Sequence, residues 1–441
     1  MKTYEEYKDS GIEWVGSIPV LWEKYTAKYI FKKLSRPIRD EDDIVTAFRD
    51  GEVTLRRNRR LEGFTNSIKE IGYQGVRNND LVIHAMDGFA GAIGVSDSDG
   101  KCSPVYSICI PQKLADTRYY AYLLRYMALT GYIQSLAKGT RERSTEFRYS
   151  AFKVLDLPFP SFAEQTQIAS YLDHKTSLID KLLEKNEKLI GLLEEQRSAI
   201  INQAVTKGLD PDVKMKDSGI EWIGEIPEHW DRIRIKNLVK VKVCDGPHET
   251  PEFLEDGVPF ISAEAIQNAC INFDRKRGYI SFDQFAEYSN KSRVKQGDIL
   301  FCKSGSTTGK SALVTTSEAF GIWSPLAIIR ANKYLVKNTY LYMYMQSRLF
   351  RIQVENNWTF GTQPNIGMGS LENLWITVPP STEQTQIANY LDSKTTQIDK
   401  LIDQKRKSND YLKEYRTTLI SNVVTGKVDV RDEKIPESFT Q

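Results

Sequence analysis

Clusters of basic side chains are the groups in this sequence best suited to chemistry. Arg56, Arg57, Arg59 and Arg60 place four guanidinium groups within five positions. Planar guanidinium groups suit phosphate oxygens and the edges of guanine bases. A second basic loop in the same half of the chain supplies the candidates Lys138, Thr140, Arg141 and Arg143. Such clusters are often only solvated charge, so alone they leave nucleic-acid binding and a plain polar surface both open.

The second half of the chain contains two further candidate segments, rich in glycine and small hydroxyl residues. Such residues let a backbone approach phosphate closely, and the flanking lysines supply charge. The candidates are Lys303, Ser304, Ser306, Thr307, Thr308 and Lys310 in one segment, and Thr362, Gln363 and Asn365 in the other. The side-chain amides of Gln363 and Asn365 are of the type that reads adenine.

Catalytic motifs are not evident beside these candidates. The segment around Gly305 is similar to a nucleotide-binding P-loop, but that motif has four residues between its glycines, and Gly305 and Gly309 enclose three. The corresponding segment 87–91 has no lysine. The sequence offers no nuclease-like acidic pair, nucleophile–histidine set or methyl-donor motif. We therefore predict no catalytic residue and no metal site. A P-loop-like NTPase or nuclease, and a pure protein-binding coiled-coil scaffold, are the alternatives.

Composition restricts the class of protein further. The 441 residues include 60 basic and 58 acidic side chains, so any nucleic-acid surface must be local. Five cysteines and four histidines, with no C-x-x-C pair, argue against a disulfide framework or a structural zinc site. Neither a secretory signal nor an apolar run of about 18 residues is present. We expect a cytosolic protein that does not enter a membrane.

The chain contains the same pattern twice. Residues 9–22 read DSGIEWVGSIPVLW, and residues 217–230 read DSGIEWIGEIPEHW. Residues 164–173 read EQTQIASYLD, and residues 383–392 read EQTQIANYLD. Two blocks this similar, in the same order, indicate an internal duplication. The residues between the blocks are less alike, which predicts two copies of one scaffold carrying two different surfaces.

Each EQTQIA block opens a long segment with apolar residues at heptad spacing. The predicted seam of the first is Leu172, Ile179, Leu182, Leu189, Leu193 and Ile200; that of the second is Leu391, Ile398, Leu401, Leu412, Tyr415 and Leu419. A capping signature opens each segment, at Ser161 and at Ser381, and Gly208 and Gly426 stand where the helices could end. Because the first helix leads into the second domain, pairing requires the second helix to run back, giving an antiparallel pair. Asn186, among other polar seam residues, would fix its register. The alternative is a solvated helix packed on its own domain.

With these repeats and helices, the sequence resembles the specificity subunit of a type I DNA restriction-modification system. The resemblance implies an α+β fold with two pseudo-symmetric α/β target recognition domains separated by a long antiparallel two-helix coiled coil. The predicted parts are a first recognition domain over 1–160, a spacer helix over 161–208, a second domain over 209–379, a second helix over 380–427, and a tail over 428–441.

The resemblance also implies a function. Each variable domain would read one half of a bipartite, asymmetric site in double-stranded DNA. The paired helices would set the spacing and dock two modification (methyltransferase) subunits, and restriction subunits, which are ATP-dependent translocases and endonucleases, would join them. S-adenosylmethionine, ATP and Mg would belong to those partners, so this chain would hold no cofactor and would not itself be an enzyme.

Overall fold

A computed structural model describes residues 2–59, 71–136, 146–359 and 363–439. The chain forms two compact units. Unit 1 combines Met1–Asn186 with Arg406–Gln441, and unit 2 comprises Glu187–Lys405. Each unit contains one α/β domain and one half of each of two long helices, which are α5 (Phe162–Lys207) and α11 (Ser381–Val424). The predicted spacer segments, 161–208 and 380–427, contain these helices.

The domain of unit 1 precedes α5. Its strands are β1 (Tyr7–Ile12), β2 (Gly16–Pro19), β3 (Glu23–Thr26), β4 (Phe31–Leu34), β5 (Val45–Ala47), β6 (Val53–Leu55), β7 (Gln74–Val76), β8 (Leu81–His84), β9 (Ile93–Val95), β10 (Gly100–Cys102), β11 (Tyr106–Pro111) and β12 (Asp156–Phe159). Its helices are α1 (Ala27–Ile30), α2 (Thr117–Leu129), α3 (Tyr132–Ser135) and α4 (Tyr149–Phe152).

The central sheet of unit 1 is antiparallel, in the order β4-β11-β8-β9. Ile108 on β11 lies opposite Leu34 on one side and Val82 on the other. Strand β8 is a continuous apolar run whose Leu81, Val82 and Ile83 are fully buried, as is typical of a strand covered on both faces. Helix α2 packs against this sheet, and its Tyr119 joins the main core.

The domain of unit 2 lies between the two long helices. Its strands are β13 (Met215–Asp217), β14 (Glu225–Pro227), β15 (Asp231–Arg234), β16 (Cys244–Asp245), β17 (Val258–Ile261), β18 (Ile266–Gln267), β19 (Cys270–Ile271), β20 (Gly278–Ile280), β21 (Ile299–Cys302), β22 (Ser311–Leu313), β23 (Gly321–Ile322), β24 (Leu326–Ile329) and β25 (Trp375–Val378). Its helices are α6 (Ile235–Leu238), α7 (Phe282–Ser292), α8 (Asn338–Met345), α9 (Arg348–Asn357) and α10 (Met368–Glu372).

The central sheet of unit 2 repeats the layout of unit 1. Its order is β16-β24-β21-β22, again antiparallel, with Leu300 opposite Ile328. The insertion between β16 and β21 adds a three-stranded sheet, β20-β17-β23, in which β17 and β23 are parallel. The duplication inferred from the two repeated sequence blocks therefore extends to the strand order of the domains between them.

In unit 1, the first half of α5 pairs with the last part of α11. The helix begins beside Ser161, whose Oγ accepts the backbone N–H of Glu164 at 3.3 Å, as the capping signature predicts. Asp180 Oδ1 lies 3.4 Å from Arg416 Nε, and Asn186 Nδ2 donates to Asn409 Oδ1 at 2.8 Å. Partner numbers fall in α11 as they rise in α5, so the two segments are antiparallel. The polar residue expected to fix the register, Asn186, makes a specific hydrogen bond.

In unit 2, the last part of α5 pairs with the first half of α11. Ile190 forms an apolar cluster with Ile398 and Ile402, and Arg197 Nε donates to Asp399 Oδ1 at 2.8 Å. Ile201, further along α5, packs in the same core as Leu391, which lies earlier in α11. The direction is again antiparallel. Arg416 lies 219 residues after Arg197, and Asp399 lies 219 residues after Asp180. The two ion pairs therefore occupy equivalent positions of the repeat.

The buried face of the helices differs from the predicted seam at four positions. Leu172, Ile179, Leu391, Ile398 and Leu419 are buried, and Leu193, Ile200 and Leu412 are partly buried. Leu182, Leu189, Leu401 and Tyr415 are exposed instead. Their next neighbours Leu183, Ile190, Ile402 and Arg416 face the partner helix. After Ile179 the buried face continues four residues later, at Leu183, and not three residues later, at Leu182. Because successive residues of an α-helix are rotated by about 100°, this difference of one residue moves Leu182 out of the helix interface.

Candidate nucleic-acid interface

Two of the predicted segments meet on one surface of unit 2. Strand β21 ends at Cys302, and the loop after it contacts the segment before Ile366. Gly305 N–H and Thr308 Oγ1 both donate to the carbonyl of Pro364, each at 3.0 Å. Ile366 N–H donates to the carbonyl of Lys303 at 2.8 Å. We call residues 303–310 and 363–366 the two-loop surface.

The exposed candidates on the two-loop surface are the ones free to contact a ligand. Ser306, Lys310, Gln363 and Asn365 are exposed, whereas Ser304 and Thr307 are half-buried. Thr308 is buried and its hydroxyl is committed to the loop's own carbonyls. Thr362 lies outside the described residues. Gln363 and Asn365, whose side-chain amides could hydrogen-bond an adenine, thus lie two residues apart, and Lys310 lies on the facing loop.

Lys303 has a structural environment that the sequence did not predict. Its Nζ lies 3.1 Å from Oδ2 of Asp245, and its side chain is only 13% exposed. Asp245, fully buried, also accepts from Lys291 Nζ at 2.7 Å, and His248 Nε2 lies 3.1 Å away. Burial alone would raise the pKa of the Asp245 carboxyl, but hydrogen bonds from the two lysines outweigh it and lower that pKa. The charge of Lys303 is therefore compensated, and it anchors the loop to β16.

The Gly305 loop does not have the geometry of a P-loop. It connects β21 to β22, so a strand follows where a P-loop requires the start of a helix. Gly305 and Gly309 both have positive φ, and the Gly309 N–H turns back to the carbonyl of Cys302 at 2.9 Å. The loop is a β-hairpin connection, which removes the structural basis for an ATP site there.

Two arginines of the cluster in unit 1, Arg57 and Arg59, are paired with carboxylates of their own domain. Arg57 lies 3.1 Å from Asp43, and Arg59 lies 2.6 Å from Asp50 and stacks over a phenylalanine ring. Arg56 Nε donates to the hydroxyl of Thr46 at 3.2 Å. These groups are compensated surface charges rather than a free basic patch. Arg60, Lys138, Thr140, Arg141 and Arg143 lie outside the described residues.

The place equivalent to the two-loop surface is nevertheless present in unit 1. Phe147 N–H donates to the carbonyl of Ala85 at 2.8 Å, which repeats the bond from Ile366 to Lys303. Ala85 N–H in turn bonds the carbonyl of Val105, as Lys303 N–H bonds that of Pro325. Two backbone hydrogen bonds are thus repeated, while the side chain at the anchor position is alanine in one unit and lysine in the other.

The repeated sequence blocks also meet each other, in both units. Trp22 Nε1 donates to Glu164 Oε1 at 2.9 Å, and Trp230 Nε1 donates to Glu383 Oε2 at 3.1 Å. Both indoles are fully buried. We call each of these Trp–Glu hydrogen bonds a clasp. Their residues are identical in both copies, and that identity was the only sequence signal for them.

Each clasp also closes on the end of the other long helix. Gly426 follows α11 and lies against Pro19 and Trp22, while Gly208 follows α5 and lies against Pro227 and Trp230. Both glycines have positive φ, as helix-terminating glycines commonly do. In unit 1 the backbone N–H of Asp429 then donates to the carbonyl of Lys2 at 2.9 Å. The N-terminal repeat therefore occupies the place that its copy takes after α5.

Among the described residues, no helix is both long and apolar enough to cross a membrane. In the same ranges, no group of three or more His, Cys, Asp or Glu side chains is arranged to hold a metal ion.

Comparisons with known proteins agree with this architecture. The family described as "Type I restriction modification DNA specificity domain" matches residues 227–409. A putative type I restriction enzyme MjaX specificity subunit of Methanocaldococcus jannaschii is 25% identical, covering 95% of this chain and 96% of the relative. The EcoBI specificity subunit of Escherichia coli is 24% identical, covering 78% of this chain and 73% of its own.

Two solved structures share the fold. The crystal structure of the HsdS subunit from Thermoanaerobacter tengcongensis has a TM-score of 0.53 at 16% identity, covering 93% of this chain and 98% of that one. A chain described under "Structural basis underlying complex assembly and conformational transition of the type I R-M system" has a TM-score of 0.63 at 14% identity, covering 93% and 99%. The fold class is that of two α/β domains joined by long helices. The chain is similar to the specificity subunits of type I restriction-modification systems, over residues 227–409 by the family model and over most of its length by these relatives.

Proposed function

We propose that this chain is the DNA sequence-recognition subunit of a type I restriction-modification complex, in which each α/β domain reads one half of a bipartite, asymmetric site. The observation that carries the proposal is the two-loop surface and its equivalent in unit 1. Two backbone hydrogen bonds recur in both places, and the side chains at the anchor position differ. A duplicated scaffold with divergent surface residues suits a protein that must read two different sequences.

Exposed amides beside a basic side chain can both position DNA and read it. Lys310 supplies a charge for phosphate, which contributes affinity without sequence information. Gln363 and Asn365 can each make a paired hydrogen bond to adenine, and such a contact discriminates by about 1–3 kcal/mol against a wrong base. Lys303 supports this reading indirectly, since its bond to Asp245 fixes the loop that faces the amides.

The long helices would serve as the spacer and as the docking site for methyltransferase subunits. Both units expose apolar residues on these helices, which is costly unless a partner covers them. In unit 1 they are Leu178, Leu182, Tyr411 and Tyr415; in unit 2 they are Leu189, Leu192, Tyr390 and Leu401. One such face per unit fits one methyltransferase per unit.

The chemistry would then belong to the partners. S-adenosylmethionine would bind the methyltransferase, and ATP and Mg the restriction subunits that join afterwards. A methyltransferase must extrude its target base from the duplex, and a separate subunit that grips the flanking duplex leaves that base accessible. We place this assembly in the cytosol, where the DNA is.

The test is DNA binding by the full chain together with its methyltransferase, measured by fluorescence anisotropy on the methylated target and on scrambled DNA. The double variant Q363A/N365A should lose roughly fivefold or more of the preference for the target, from the discrimination expected of a bidentate contact, while scrambled DNA binds as before. Exposed Lys214 offers a matched control, K214A. An unchanged preference in Q363A/N365A would contradict the role assigned to the two-loop surface.

A further inference from the structure

A groove of about 510 Å³ lies in unit 1 beside the place equivalent to the two-loop surface. Residues from four parts of the domain line it: Lys33 on β4, Ala85 and Met86 after β8, Val105 before β11, and Arg148 and Lys153 around α4. We call it the basic groove. Apart from Arg148, which the sequence places with the second basic loop, its residues lie outside the clusters that the sequence singled out as candidate DNA contacts.

The basic groove carries positive charge that its own walls do not neutralise. Lys33, Arg148 and Lys153 are all exposed, and no carboxylate is among the described residues that line the groove. Arg148 pairs with the exposed carboxylate of Glu146 at the rim. Lys33 and Lys153 make no ion pair with any described residue. The net charge of the whole chain is close to zero, so this positive charge is local. It would attract an anion to the groove.

The floor of the basic groove is partly apolar. Met86 is 42% exposed and Val105 is 38% exposed. Beside them, the Tyr149 hydroxyl donates to the carbonyl of Phe31 at 3.2 Å, which holds α4 against β4. A cationic rim with exposed aliphatic side chains between its charges matches a nucleic-acid strand, which presents phosphates outside and apolar sugar and base edges between them.

One charge of the basic groove, that of Lys153, is not repeated in unit 2. The position of Lys153, just after α4, corresponds to Glu372 at the end of α10. Glu372 is buried, and its Oε1 accepts the backbone N–H of Val243 at 3.0 Å. A carboxylate in a structural role therefore replaces the exposed ammonium group. The basic groove is a property of the first domain and not of the shared scaffold.

We infer that the basic groove binds the phosphate backbone of duplex DNA next to the half-site that unit 1 reads. The inference rests on the proposed function, and it adds the surface that positions DNA in this domain. Lysines act as flexible point charges and lack the planar fork that reads a base edge, so Lys33 and Lys153 suit phosphate contacts that give affinity without specificity.

The experiment compares the salt dependence of target binding for the wild-type chain and K33Q/K153Q, each with the methyltransferase. Each lost phosphate contact should reduce the slope of log K against log[salt] by about 0.9, so two contacts reduce it by about 1.8. At 0.1 M salt this corresponds to a loss of affinity on the order of tenfold to a hundredfold. The preference for target over scrambled DNA should stay the same. K153E, which copies the residue of unit 2, should lose more affinity than K153Q.

Lys32 gives a matched control. It is exposed and adjacent on β4, but successive strand residues point to opposite faces, and it does not line the groove. K32Q should leave the slope unchanged. If K33Q/K153Q has the wild-type slope while the wild-type chain still selects its target, the groove assignment is wrong and the proposed function stands. If the wild-type complex does not select any sequence, both are wrong.

Discussion

The clasp between the repeated blocks leads to a prediction that concerns one unit at a time. Replacing Trp22 by phenylalanine keeps an aromatic ring in the core but removes the N–H that donates to Glu164 at 2.9 Å. Trp22 is fully buried between Tyr4 and Tyr119, with ring centroids at 6.0 and 6.4 Å, and it lies against Gly426. The substitution should therefore loosen both the start of α5 and the end of α11 in unit 1.

The cost can be worked out from these contacts. A hydrogen bond to a charged acceptor contributes about 1.5–3 kcal/mol, and the smaller ring leaves a cavity that adds roughly 1–2 kcal/mol. Tyr4 still donates to Glu164 Oε1 at 2.6 Å, so the carboxylate keeps a partner and the lower part of the range applies. We expect about 3 kcal/mol for local opening in unit 1, which corresponds to roughly a hundredfold faster amide exchange there.

Hydrogen exchange followed by mass spectrometry measures this effect on the full chain. The amides of Lys427, Val428 and Asp429, which bond Asn422 and Lys2, should exchange faster in W22F, and peptides from unit 2 should not change. W230F should give the reverse pattern. W14F is the control for lost ring area, since Trp14 is only partly buried against Tyr126 and Tyr132. Equal effects of W22F and W14F, or a response spread evenly over both units, would refute the clasp.

Two further predictions concern the buried carboxylate of unit 2 and the exposed helix faces. Because the folded pKa of Asp245 is lowered, its carboxylate stabilises the fold above its unfolded pKa, near 4, and that contribution is lost as pH falls through the folded value. The urea midpoint of the wild-type chain should therefore fall on acidification below about pH 4. D245N should be less stable at pH 7, and its urea midpoint should change less with pH. If the midpoints of both chains changed with pH in parallel, this account of Asp245 would be wrong. L182K should weaken methyltransferase binding at least tenfold by calorimetry, because it puts a charge on the exposed apolar face of α5. The control L114K changes a 69% exposed leucine of the domain and should leave the affinity unchanged. Equal affinities of L182K and L114K would exclude this face as the docking site.

The large-scale fold could be predicted because the duplication fixes it. Closely similar blocks at 9–22 and 217–230 imply two scaffolds, and chain order alone requires the second helix to run back along the first. The helix bounds follow from the capping residue Ser161 and the terminating glycines. Capping residues and glycines act locally, and the blocks occur twice, so all of these features can be recognised in a single sequence.

The register of the helix pair could not be read from the sequence with the same certainty. At the points where the seam was misplaced, two apolar residues stand side by side, as in Leu182-Leu183 and Leu189-Ile190. Hydrophobic periodicity does not distinguish such neighbours, and only the contacts of Ile190 with Ile398 and Ile402 decide between them. A heptad count therefore predicts that the two helices pair, but it does not fix which face each helix buries.

The sequence could not predict which basic side chains of the candidate site are neutralised by carboxylates and which are free, because those contacts form only in the folded chain. Lys303 was predicted to bind phosphate, but its partner Asp245 lies 58 residues earlier, across the insertion of unit 2. Lys33 and Lys153 lie 120 residues apart and meet only because α4 returns to β4. Such pairs depend on tertiary structure, whereas composition and spacing describe only neighbours along the chain.

Genome-wide mapping of methylated bases tests the central claim most directly. The cells would carry this chain with its methyltransferase, either unchanged or with residues 23–159 replaced by the matching domain of a relative, which keeps both clasps. The account predicts one two-part motif for the unchanged chain, and a new motif in which one half is replaced and the other half is retained. A single continuous motif, or a change in both halves, would contradict it.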